Sequence, residues 1–140
     1  MFLNIYQTTP RRKSKENFME QDIDRMYCGL IKRGDIFVCT HDSEEKTVVV
    51  LQDTVLNSSL PTVVCAMVEF CPENEETFPN EIILSEKEMW TNSKGVCMLH
   101  KVVTVNRRSM FDKKGELNEK NLKMLYKALD NNLGRFRDKK

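Results

Sequence analysis

Two apolar, β-branched runs dominate the hydropathy pattern: Thr47 to Leu51 and Thr62 to Val68, separated by a polar link containing Asn57, Ser58, Ser59 and Pro61. Uninterrupted apolar runs of this length predict strands buried on both faces, at the centre of a sheet or barrel. Ile36 to Cys39, after the Gly34-Asp35 turn, reads as an earlier strand, and Glu81 to Leu84 as a later one. Val96 to Leu99 and Val102 to Val105 give one long or two short strands, interrupted by the polar pair His100-Lys101. His41 to Glu45 is expected as a short polar loop, and Phe70 to Asn80 as an acidic, proline-flanked one.

Helical spacing appears three times. After an arm over Met1 to Pro10 and the basic cluster Arg11, Arg12, Lys13 and Lys15, Ser14 can cap an amphipathic helix from about Lys15 to Cys28. Its stripe of Met19, Ile23, Met26, Tyr27 and Leu30 is expected to dock on the domain. Ser85 to Glu88 has the form of a capping box and predicts a short helix through Met89 and Trp90. Asn118 can cap a last helix with Leu122, Leu125, Leu129 and Leu133 on one face and Gly134 near its end. The whole reads as mainly β with helices, an α+β chain built on a small β-barrel or strongly bent sheet.

Composition narrows the class. A chain of 140 residues, 40% hydrophobic and 31% charged, can bury a core as one domain, which argues against global disorder. No apolar run approaches the roughly 20 residues of a membrane span, and no secretory apolar segment opens the chain, so a cytoplasmic location is expected. The five cysteines are odd in number, and Cys39, Cys65 and Cys97 lie in apolar segments, which predicts buried reduced thiols. Cys39 with His41 and Cys97 with His100 could each offer a pair of zinc ligands, but the spacing fits no compact zinc motif, so no metal or cofactor is expected. The net charge of +1 conceals segregation: Asp42 to Glu88 carries eleven acidic residues against two basic, whereas Lys94 to Lys140 carries thirteen basic against five acidic. A cationic C-terminal third is permissive for nucleic acid.

The order of parts resembles the PemK/MazF family of toxin-type endoribonucleases over about Ile31 to Phe136. The resemblance is carried by Lys32-Arg33-Gly34-Asp35-Ile36-Phe37, Val48-Val49-Val50-Leu51-Gln52-Asp53, Pro61-Thr62-Val63-Val64, Ile82-Ile83-Leu84, Met98-Leu99 through Thr104-Val105, and Leu117 onward. It implies a half-open, SH3-like β-barrel domain over residues 31–140, with an added N-terminal arm and helix over residues 1–30 and a C-terminal helix. It also implies a homodimer, binding of single-stranded RNA, metal-independent cleavage through the ribose 2′-hydroxyl, and an acidic antitoxin-like protein partner, with no membrane. Lys46 stands where the family has a catalytic arginine, Glu69 where it has a catalytic threonine, and His100-Lys101 where it has an acidic and amide pair.

These three residues could act as a rewired nuclease, with Lys46 as transition-state stabiliser, Glu69 as base and His100 as acid. Alternatively Lys46 and Glu69 are an ion pair between strand ends, His100 is a packed or surface residue, and the chain is a catalytically silent binding module for a protein or nucleic acid. Arg33, Lys101, Arg107 and Arg108 are the expected RNA-binding residues. The acidic loop from Glu73 to Glu81, folded near the groove, would repel RNA.

Overall fold

The computed structural model describes residues 26–70, 78–134 and 137. Six strands form one antiparallel sheet: β1 (Asp35–His41), β2 (Glu44–Val50), β3 (Thr62–Phe70), β4 (Glu81–Leu84), β5 (Gly95–Asn106) and β6 (Met110–Glu116). Among the described residues, two α-helices accompany it, α1 (Thr54–Ser59) and α2 (Glu119–Leu133). The strand order is β4-β5-β3-β2-β1-β6, so the two apolar runs, β2 and β3, are central as their composition requires.

Both faces of the sheet are covered. On one, Ile36, Val49, Ala66, Val68, Cys97 and Leu99 pack with Leu125 and Ala128 of α2. On the other, Phe37, Val48, Val50, Val63, Cys65 and Val105 pack with Ile31 and Met110. Helix α2 follows its sequence signals: the Asn121 amide donates to Asn118 Oδ1 at 2.8 Å, and Gly134 closes the helix in the left-handed conformation at φ +66°. Its expected stripe ends early, because Leu133 is 61% exposed.

The sheet is strongly bent but not closed by a ladder. Its two ends meet where the Glu116 amide donates to the Glu88 carbonyl at 3.0 Å, joining the β4–β5 connection to the end of β6. A Cβ at residue 115 would collide with that carbonyl, which is why Gly115 sits there.

Several local expectations are corrected. The polar link contains α1, where Asp53 accepts from the Val55 and Leu56 amides. A six-residue helix is too short to show a period, and its Asn57 is buried because its amide donates to the carbonyls of Ile31 and Gln52. The His41 to Glu45 loop is a two-residue hairpin turn, with Asp42 and Ser43 both at positive φ (52° and 67°), the conformation that matches the twist of the flanking strands. The Ser85–Glu88 capping box forms its hydrogen bonds, yet the chain there makes turns and no helix, and Trp90 has φ +51°. Strand β6, which reads Met-Phe-Asp-Lys-Lys-Gly-Glu, was not foreseen, because an edge strand with shifted register on β1 shows no apolar alternation. Of the expected N-terminal helix, residues 1–25 lie outside the described residues. Met26 to Cys28 are not helical, and the Tyr27 amide donates instead to the Met110 carbonyl at 2.9 Å. Residues 71–77 of the acidic loop also lie outside the described residues. No helix among the described residues is long and apolar enough to cross a membrane.

Candidate active site

Strands β2 and β3 pair with Val48 opposite Met67 and Val49 opposite Ala66. Continuing that register by two residues brings Lys46 opposite Glu69. Side chains alternate along a strand, so Lys46 shares a face with Val48 and Val50, and Glu69 shares the same face with Cys65 and Met67. Lys46 and Glu69 therefore lie on one side of the sheet, two residues beyond the last paired residues, Val48 and Met67.

The surroundings of Lys46 are acidic. Its Nζ lies 3.3 Å from Glu44 Oε1 on its own strand, with the lysine side chain 34% exposed. The hairpin beside it carries Asp42 and Glu45, and His41 Nε2 is 3.6 Å from Asp42 Oδ2.

His100 does not join this pair. β5 pairs with β3 through Val96 opposite Glu69, then skips Leu99, His100 and Lys101 in a bulge before Val102 meets Ala66. His100 is four positions beyond Val96, on the order of 10 Å along the strand. There it lines a groove of about 490 Å³ with Phe78, Pro79, Asn80, Asn131 and Asn132, next to the end of α2. None of those five was singled out from sequence; the asparagine pair ending an amphipathic helix was the one visible signal.

The four expected RNA-binding cations have different settings. Arg33 serves the fold: its Nε donates to the Leu51 carbonyl at 2.9 Å, its Nη1 donates to the Tyr126 hydroxyl at 2.9 Å, and its guanidinium lies 5.5 Å from the Tyr126 ring centroid. Lys101 is exposed in the β5 bulge. Arg107 donates to the carbonyls of Asn57 and Gly29, and with the exposed Arg108 it lines a separate groove of about 560 Å³ beside Tyr27 and Pro61. That groove adjoins the Thr62–Asn106 end of the β3–β5 ladder, roughly 23 Å along β3 from Glu69.

Asp35, Lys113 and Glu116 are shifted together along the β1–β6 pairing, and the shifted Cys39, on β1, sits opposite Lys46. Burial raises the Asp35 carboxyl above its ordinary value, against the opposing pull of the Lys32 amide and the Lys113 ammonium, whose Nζ is 3.4 Å away. Lys113 is raised: burial would lower it, but Asp35 and Glu116 outweigh that. The hydrogen bond and charge of Lys113 lower Glu116. Burial pushes the Cys39 thiol up to about 11 and the Cys97 thiol up to about 12, which leaves both protonated and inert at neutral pH. Cys39 and Cys97 belong to cores on opposite faces of the sheet, so their two ligand pairs do not converge.

The sequence matches the family described as PemK-like, MazF-like toxin of type II toxin-antitoxin systems over residues 32–133. A search of curated proteins by sequence finds no match. Among solved structures, the fold is similar to a mycobacterial endoribonuclease in complex with its cognate antitoxin, at 18% identity and TM-score 0.65, covering 74% of this chain and 95% of that one. It is also similar to the Mycobacterium tuberculosis toxin MazF-mt6, at 17% identity and TM-score 0.62, covering 71% and 96%. A MazE–MazF structure from Deinococcus radiodurans matches at 16% identity and TM-score 0.61, covering 76% and 97%.

Proposed function

The chain belongs to the PemK-like, MazF-like toxin family of type II toxin-antitoxin systems, and from that premise we propose that it is an RNA-directed, toxin-type protein that cleaves single-stranded RNA without a metal. The observation that supports this reading is the β2–β3 register, which, continued two residues beyond Val48–Met67, puts Lys46 opposite Glu69 on one face. In the proposed reaction the Glu69 carboxylate takes the proton of a ribose 2′-hydroxyl, and the 2′-oxygen attacks the adjacent phosphorus. The bond from phosphorus to the 5′-oxygen breaks, leaving a 2′,3′-cyclic phosphate and a 5′-hydroxyl. The Lys46 ammonium lies against the non-bridging oxygens as their charge rises, as a point charge lacking the bidentate fork of an arginine. His100 is in the neighbouring groove, so the leaving oxygen takes its proton from water. A short acidic antitoxin-like protein and a second copy of the chain are the partners of this reading.

The test is incubation of the purified protein with mixed-sequence single-stranded RNA in chelator, with detection of cyclic-phosphate ends. Cleavage lost in Lys46→Ala and in Glu69→Gln but kept in His100→Ala supports the proposal. Absence of cleavage by the folded wild type refutes it. A second reading is favoured by the 3.3 Å pair between Lys46 and Glu44, on a strand that opens with Glu44 and Glu45. An acidic setting repels a phosphodiester, so on this reading the domain is a catalytically silent binding module. Tight binding of RNA or of an antitoxin-like protein without cleavage would select it.

A further inference from the structure

The groove of about 560 Å³ beside Tyr27 and Pro61 has the size of a small-molecule site and a one-sided charge. The guanidiniums of Arg107 and Arg108 line it, and none of the described residues that share the lining is acidic. The backbone that carries the pair is fixed. The Arg107 amide donates to the Pro61 carbonyl and the Arg108 amide to Asn106 Oδ1, each at 2.9 Å, and Ser109 Oγ donates to the Asn106 carbonyl at 2.6 Å. The Arg107 fork is steadied by two long bonds, from Nη2 to the Gly29 carbonyl at 3.3 Å and from Nη1 to the Asn57 carbonyl at 3.5 Å. These spend only part of its N–H donors, and its buried Nε makes no hydrogen bond among the described residues. Met26, Tyr27 and Pro61 give the groove an apolar part. Tyr27 is itself held edge-on against Phe37, with ring centroids 4.8 Å apart.

We propose that this groove binds a small organic phosphate of nucleotide size, with its terminal phosphate on Arg107 and Arg108 and its ring-bearing body against Met26, Tyr27 and Pro61. Two guanidiniums in one hollow match a terminal phosphate, which carries about two charges at neutral pH, better than they match a single carboxylate or the one charge of a phosphodiester. The unspent donors of the Arg107 fork are what such oxygens satisfy. Inorganic phosphate alone would leave the apolar part of the groove uncovered. The groove lies at the Thr62–Asn106 end of the β3–β5 ladder, roughly 23 Å along β3 from Glu69. It is therefore separate from Lys46 and Glu69, and the proposal does not rest on the cleavage reading.

The experiment is calorimetric titration of the full chain at low salt with AMP, adenosine, inorganic phosphate and the diester ApA, which has no terminal phosphate. A second readout places the ligand: Cys28 is exposed and lines the groove, so bound AMP should slow its reaction with a thiol reagent, half-protecting it at the Kd from calorimetry. AMP is expected to bind, and the other three to bind at least about 10-fold more weakly, the smallest loss expected for charge-assisted hydrogen bonds. Arg108→Ala should weaken AMP by about 10-fold or more; Arg108 is exposed, so this variant stays folded. Arg107→Lys keeps the charge but not the fork and should also weaken AMP. Absence of AMP binding, or AMP binding that leaves Cys28 as reactive as before, would overturn the proposal. So would unchanged AMP affinity in Arg108→Ala. Inorganic phosphate bound as tightly as AMP would reduce the groove to an anion spot, and ApA bound as tightly would make it a contact for a nucleic-acid backbone; either overturns it. None of these outcomes touches Lys46 or Glu69, so the cleavage reading stands or falls on its own test.

Discussion

Replacing Glu88 should show how much of the fold's stability is gathered in one buried carboxylate. Glu88 Oε1 accepts from the Ser85 amide and hydroxyl, each at 3.0 Å, and from Asn121 Nδ2 at 2.8 Å, while Oε2 accepts from the Asn118 amide at 2.8 Å. One side chain thus ties the turn after β4 to the first turn of α2. In Glu88→Ala the Ser85 hydroxyl can rotate to another acceptor, but the two amides and the Asn121 side chain cannot. At about 1 kcal/mol for each part-buried donor left unpaired, the loss is about 3 kcal/mol. In Glu88→Gln the carbonyl oxygen can keep the three bonds of Oε1, but the new amide group then faces the Asn118 N–H, so the loss is about 1 kcal/mol. Domains of this kind are stable by about 5 to 15 kcal/mol, so both variants stay folded and measurable. Equilibrium urea unfolding at neutral pH, with the slope checked for constancy, reads the difference directly. A Glu88→Ala loss below about 0.5 kcal/mol, or a Glu88→Gln loss as large as that of alanine, would refute the reasoning.

Lys113→Met removes the counter-ion of Asp35, whose side chain is only 2% exposed, and should cost about 2–4 kcal/mol at neutral pH. A carboxyl raised in the folded state favours folding when protonated, so this deficit should shrink as pH falls through the Asp35 value, followed by unfolding titrations of both proteins. Gly115→Ala drives a Cβ into the Glu88 carbonyl and should lower stability by at least about 2 kcal/mol, seen as a fall in thermal midpoint. With a thiol reagent at mild alkaline pH, the exposed Cys28 should react at once, while Cys39, Cys65 and Cys97 react only after unfolding. Fast labelling of any of the three in the native protein would contradict their burial.

The elements that could be read from sequence are those whose physics is local. The middles of β2 and β3, Val48 to Val50 and Val63 to Val68, pack on both faces, so these positions had to be apolar and the runs stood out. α2 carries its own cap at Asn118, its own stop at Gly134 and a periodic stripe, so its bounds followed from neighbouring residues. The Ser85–Glu88 box was legible as a hydrogen-bonding unit, but not as a turn, because the Glu88 carboxylate also reaches across to α2. β6 left no trace, since an edge strand held by β1 on one side needs no apolar alternation.

The same division governs the site. Sequence alone determined the central strands, the terminal helix and the family. Only the tertiary structure decided where the candidate residues stand. The β2–β3 register, continued two residues past its last pair, puts Lys46 and Glu69 on one face, a bulge of three residues sets His100 apart from them in the Phe78 groove, and Arg33 is tied to Tyr126 and Leu51. Register, bulges and long-range hydrogen bonds are set by packing between segments far apart in the chain, and no window along the sequence contains both partners.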